Sequence, residues 1–178
     1  MNPRVHFAIH CVIGIAALAM LGYAFSDPLA TLSMNENNVK VSDEIYITQE
    51  CLSMSAPGLG NQKQCGNLDP VFKSQMQAIM GIVIALMVCI FLEFIGMNFG
   101  TMVCNVFGLL VLGLSIALIS LVATLPNFHR GPMNYKLTNT SIGVIVVASL
   151  LILFELCCNK LVHRVVLAPY RLVAGKKV

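Results

Sequence analysis

The sequence predicts a membrane all-α four-helix bundle with a small extracellular antiparallel β-sheet in the first outer loop. Three observations lead there. Four apolar stretches, 7–25, 76–95, 102–125 and 141–158, each run 18 to 24 residues without a Lys or Arg. Hydrophobic residues make up 57% of the chain and charged residues 11%, against about 25% charged in a soluble domain. One sizeable polar segment, 26–75, falls between the first two stretches. A helix rises about 1.5 Å per residue and the hydrocarbon core is about 30 Å thick, so roughly 20 apolar residues span it. The 178 residues therefore read as one four-span domain, with outer loops 26–75 and 126–140 and a tail 159–178.

The first span follows Arg4, and Ala24-Phe25-Ser26 is a loose match to a signal-peptide cleavage site. Signal-peptide apolar cores run about 7 to 15 residues, so the longer stretch reads as a retained signal-anchor. Arg4 precedes it, and Lys160, Arg164, Arg171, Lys176 and Lys177 follow the fourth span. The positive-inside rule places both groups, and so both termini, in the cytoplasm. Gly96-Met97-Asn98-Phe99-Gly100 is then a short inner turn. Both longer loops lie outside.

The first outer loop carries six acids (Asp27, Glu36, Asp43, Glu44, Glu50, Asp69) against three bases (Lys40, Lys63, Lys73), a net of −3. Asp43-Glu44-Ile45-Tyr46-Ile47-Thr48 alternates as a strand does, with Ile45 and Ile47 on one face. Segments 29–34 and 39–41 are further strand candidates, joined by a turn at 35–38; Ala56 to Asn61 reads as a loop. Asp43 and Glu44 form a candidate outer-loop charge site, where exposed acids would attract cations.

The seven cysteines sort by place. Cys11, Cys89 and Cys104 lie inside spans as small packing residues. Cys51 and Cys65 are the two in an outer loop, where an oxidising environment favours their pairing. Cys157 and Cys158 end the fourth span; they are candidates for S-palmitoylation, with plain packing the alternative. Glu93 and Glu155 near the inner ends of spans two and four must reach the interface or face a partner such as Asn98 or Asn105. Gly14, Gly22, Gly113 and Gly143 are among small residues that permit close helix approach. Asn139-Thr140-Ser141 is a formal glycosylation acceptor that abuts the fourth span.

Neither His6, His10, His129 and His163 nor the acids have metal-ligand spacing. No catalytic, phosphate-binding or cofactor motif stands out, so the expectation is no enzyme, no cofactor, no metal and no nucleic-acid partner.

A long first outer loop with one cysteine pair, a short inner turn, a short second outer loop and inner termini together resemble the claudin superfamily. That group comprises claudins, the peripheral myelin and epithelial membrane proteins, and gamma-type auxiliary subunits of channels and receptors. Asn61-Gln62-Lys63-Gln64-Cys65, then Asp69 and Gln75-Met76-Gln77-Ala78-Ile79-Met80, is similar to the claudin stretch running from the second loop cysteine into span two. The chain has no Trp; Thr48 stands where that family places one.

The resemblance implies a multi-pass plasma-membrane protein of cell–cell contacts. It would form or organise a junctional, paracellular barrier by binding copies of itself in cis or trans through its outer loops. The alternative is an auxiliary subunit that modulates the trafficking or gating of a larger channel or receptor. The lipid bilayer is a partner in both. A terminal Val178 suits capture by a cytoplasmic scaffold, but Lys176 two places earlier argues against it.

Overall fold

Helices form where the apolar stretches lie, and polar residues mark their starts. The computed structural model of the chain describes residues 3–158, except 37–38, 59, 100, 128 and 131–132. The turn expected at 35–38 falls partly outside the described residues. So do the tail after Cys158 and the side chains of Arg4, His6, His10, Asn98, Cys104, His129 and Cys158. In chain order the elements are α1 (Pro3–Tyr23), β1 (Ala30–Glu36), β2 (Val39–Ile45), β3 (Glu50–Ala56), β4 (Gly60–Gly66), α2 (Pro70–Phe99), α3 (Thr101–Ala123), a 3-10 turn (Leu125–Asn127), β5 (His129–Arg130), β6 (Met133–Asn134), β7 (Lys136–Leu137) and α4 (Asn139–Cys158).

Three helices are long and apolar enough to cross a membrane: Pro70–Gly96, Asn105–Ala123 and Asn139–Cys157. The first helix adds a shorter apolar stretch, Cys11–Tyr23. This is a multi-span integral membrane protein. The helices pack as a ring, α1 against α2 and α4, and α3 against the same two. Leu21, Met76, Val83, Leu86, Val111, Leu118 and Val144 fill the middle. Val12, Ile15, Ile84, Val88, Val106, Leu110, Ile142 and Val146 stay uncovered on the outside, as lipid-facing residues do.

Small residues let α1 dock. A side chain at Gly14 would overlap the Phe94 ring of α2, and one at Gly143 of α4 would overlap the end of Met20. Gly22 and Gly113 have open space above them and serve no such approach. Glu93 and Glu155 are both buried in the bundle.

The 30-residue α2 begins six residues before the expected span. Its length of about 45 Å exceeds the hydrocarbon core, so its first turns project beyond it. The start is set by Asp69, whose carboxylate accepts the Val71 N–H at 2.9 Å, and by Pro70 at the first helical position. Thr138 caps the start of α4, its hydroxyl oxygen accepting the Ser141 N–H at 3.3 Å.

The outer segment forms a five-stranded antiparallel sheet in the order β4-β3-β2-β1-β7. β7 comes from the second outer loop, so both loops share one sheet. Two expectations need correction. The strand expected over 43–48 is the end of β2, which stops at Ile45 because the Tyr46 N–H turns back to the Gln49 carbonyl at 2.9 Å. The loop expected from Ala56 to Asn61 is only the tip of the β3–β4 hairpin, with Gly58 and Gly60 at positive φ. The alternation did hold: Ile45 and Ile47 are buried, Tyr46 half-buried and Thr48 exposed. Leu29, Ala30, Ile45, Ile47 and Phe72 join the bundle residues in one continuous core.

Candidate functional site

The outer sheet has two unlike faces, because successive side chains on a strand point to opposite sides. One face carries Ser42, Glu44, Ser53 and Lys63. Ser42 and Ser53 are register partners, and their hydroxyl oxygens lie 2.6 Å apart in a cross-strand hydrogen bond. The other face carries Leu32, Met34, Val41, Asp43, Ile45, Leu52 and Met54.

Asp43 and Glu44 were expected as a joint exposed charge site. As neighbours on β2 they face opposite ways, and the structure corrects that expectation. Asp43 lies on the apolar face, 4% exposed. Its carboxylate accepts a hydrogen bond from the Tyr135 hydroxyl at 2.6 Å. Tyr135 is itself 1% exposed, and its ring meets Phe72 of α2 edge-on at 5.1 Å. A single buried cluster thus ties β2, the second outer loop and α2 together. The sequence gives no local sign of it, since Tyr135 is 92 residues from Asp43.

Glu44 points to the polar face but is not a bare acid. Its carboxylate accepts hydrogen bonds from the Lys63 ammonium at 2.8 Å and the Tyr46 hydroxyl at 2.9 Å. Lys63 also lies 5.5 Å from the centre of the Tyr46 ring. The bond to Lys63, aided by Tyr46, holds the Glu44 carboxyl below its ordinary value against partial desolvation. The same bond raises the Lys63 ammonium above its own.

Further ties fix the sheet to the helices. Glu50 of β3 accepts the Asp69 N–H at 3.1 Å, next to the start of α2. The Thr138 hydroxyl donates to the Pro28 carbonyl at 2.6 Å, and the Ser141 hydroxyl donates to the Leu29 carbonyl. The Gln75 amide donates to the Leu121 carbonyl at 2.7 Å and to the Thr124 hydroxyl at 2.9 Å, joining α2 to the end of α3.

Cys51 and Cys65 are direct register partners on β3 and β4, and a disulfide joins them. They are 14 residues apart in sequence. Closing a loop of that length contributes about 3 kcal/mol in the chain-entropy model. β4 needs it, because all seven of its residues are exposed.

The far half of the apolar face is uncovered. Leu52 and Met54 of β3 are 45% and 47% exposed. They stand between Asp43 and Val41 on β2 and Gln64 and Gln62 on β4. Beyond them β4 is the edge strand, paired with β3 alone among the described residues. Sequence reasoning passed over this patch, although Leu52-Ser53-Met54-Ser55 alternates at the strand period.

At the opposite end of the bundle, Cys157 carries an exposed free thiol, whereas Cys11 is half-buried and Cys89 buried. Asn139 of the glycosylation triplet is the first residue of α4. Among the described residues no three His, Cys, Asp or Glu side chains group where a metal ion could sit. No protein-family model matches this chain, and no curated protein matches it.

Proposed function

We propose that this protein belongs to cell–cell contacts in the plasma membrane, where its outer sheet binds the sheet of a second copy and so builds a junctional assembly. Both termini then lie in the cytoplasm. The carrying observation is the Leu52–Met54 patch lying uncovered beside the edge of β4, which pairs with no strand but β3 among the described residues. An exposed strand edge offers unpaired N–H and C=O groups to another strand. An apolar patch beside it adds burial to that pairing. The usual guard of such an edge is a lysine, and here Lys63 is already neutralised by Glu44 of the same chain. Two copies can therefore approach edge to edge without opposing bare charges. The likeness to the claudin superfamily in loop plan and in the Asn61–Cys65 motif supports the same reading.

The outer acids have a smaller part than their number suggests. Asp43 is buried and Glu44 paired. Any cation preference of the assembly rests on other residues.

The test is a mixing experiment with cells that lack contact strands of their own. The protein should concentrate where two expressing cells touch, and stay dispersed where an expressing cell meets a bare one. Leu52→Asp with Met54→Asp should abolish that enrichment at unchanged surface amount, since both side chains are already solvent-exposed. Enrichment that survives the double substitution would overturn the role of the patch. Uniform distribution of the unsubstituted protein, with one reproducible channel copurifying, would establish the auxiliary-subunit reading instead.

A further inference from the structure

Among the described methionine side chains, Met54 alone is exposed, at 47%. Met20, Met34, Met80 and Met87 are half-buried, and Met76 is fully buried. Met20, Met76, Met80 and Met87 also belong to the apolar helices α1 and α2. Met54 instead lies on β3 beside Leu52, on the uncovered half of the apolar sheet face. Its side chain is therefore open to small solutes in the water around the sheet.

The sheet register adds a second observation. Directly opposite Met54 stand Val41 on β2 and Gln62 on β4. Side chains opposite each other on one sheet face have Cβ atoms about 4.5–5.5 Å apart. A thioether is only a weak hydrogen-bond acceptor, whereas its sulfoxide is polar. Gln62, exposed on the edge strand, has amide N–H donors to offer the sulfoxide oxygen at that separation. The register thus provides a partner for the oxidised side chain. The exposure of Met54 means that oxidation changes the surface without disturbing a packed core. The Cys51–Cys65 disulfide of the same hairpin fits an oxidising compartment.

We propose that Met54 is an oxidation site whose reactant is a hydroperoxide, and that its sulfoxide releases the contact between sheets. With hydrogen peroxide, the thioether sulfur attacks one peroxide oxygen. A sulfur–oxygen bond forms and the oxygen–oxygen bond breaks. Sulfur gives up two electrons, and the departing hydroxide takes the proton from the transferred oxygen and leaves as water. An apolar side chain then becomes polar within the patch that a second sheet covers, and covering it again strips water from the new oxygen. Methionine sulfoxide is reducible by dedicated reductases, so the change is reversible. The release rests on the sheet contact proposed above; the reactivity of Met54 does not.

The experiment exposes cells expressing the full chain to dilute hydrogen peroxide, fixes assembled copies with a membrane-impermeant cross-linker, and maps peptides from the cross-linked and the free protein. Added oxygen should appear on Met54 before Met34 or Met76. Met54 sulfoxide should be enriched in the free fraction and depleted in the cross-linked one. Peroxide should disperse the unsubstituted protein from cell contacts, whereas in Met54→Leu the contact-to-free ratio should stay where it stood before treatment. Oxidation of Met54 no faster than that of buried Met76 would overturn the proposal. So would equal sulfoxide in the two fractions, or Met54→Leu that disperses as the unsubstituted protein does. Unsubstituted protein that fails to concentrate at contacts before any peroxide is added would refute the contact itself, and the release with it, a result distinct from all of these.

Discussion

Tyr135→Phe isolates the bond that pins the outer sheet. The substitution removes one oxygen and leaves the ring in place against Phe72. Asp43 then loses the 2.6 Å hydrogen bond from Tyr135 at a site 4% exposed. A hydrogen bond to a charged group contributes about 1.5–3 kcal/mol, and stranding one partner in the interior incurs its desolvation cost. The expected loss is about 2 kcal/mol, roughly a thirtyfold change in the local opening equilibrium. Tyr135→Ala also removes a fully buried ring, adding about 3–5 kcal/mol, which is comparable to the whole stability of a small domain. Hydrogen exchange in detergent micelles reads this directly. Amides of β1, β2 and β7 should exchange faster in Tyr135→Phe, by about that thirtyfold, while those in the middle of α2 and α3 keep their protection. In an Asp43→Asn background the same change should have a smaller effect, about 1 kcal/mol, because the bond is then neutral. Sheet exchange in Tyr135→Phe equal to that of the unsubstituted protein would refute the buried bond and the attachment of the second loop.

Removing the staple by Cys51→Ala with Cys65→Ala should loosen the β3–β4 hairpin by about 3 kcal/mol, visible as protease cleavage near Pro57 and Gly58 with the helices left intact. Gly14→Leu should destabilise the bundle by about 1–3 kcal/mol through overpacking against Phe94, and Phe94→Ala should recover part of that loss in a thermal melt. Glu44→Gln should change hairpin stability by less than about 1 kcal/mol at neutral pH, since the Lys63 pair is solvent-screened. The sign follows from the shifts. The depressed Glu44 contributes stability that is present above its unfolded value near 4.3 and lost as pH falls through its lower folded value. The raised Lys63 contributes stability present below its unfolded value near 10.4 and lost as pH rises through its higher folded value. The two proteins should therefore converge in acid.

Membrane helices were legible because hydrocarbon thickness imposes a length on any spanning segment. Their outer ends were less so. Asp69-Pro70 is a readable helix start, but five residues, ending in the polar Lys73-Ser74-Gln75, separate it from the apolar run at Met76. Strands gave themselves away only where one face is buried, as at the Ile45 end of β2. β4, Gly60–Gly66, exposes both faces and so has no apolar period; its place follows from the Cys51–Cys65 partnership. The fate of Asp43 was not legible at all. An acid beside an acid reads as solvated charge, and only the fold brings in the distant Tyr135 to bury one of the pair.

The proposed contact requires a sheet outside the membrane carried by helices whose ends return inside. An epitope inserted after Gly58, at the exposed hairpin tip, tests this most directly when compared with tags at Met1 and Val178 in the same cells. The hairpin tag should stain intact cells, and both terminal tags should stain only after permeabilisation. A hairpin tag hidden until permeabilisation, or a terminal tag that stains intact cells, would contradict the orientation and with it the proposed contact between sheets.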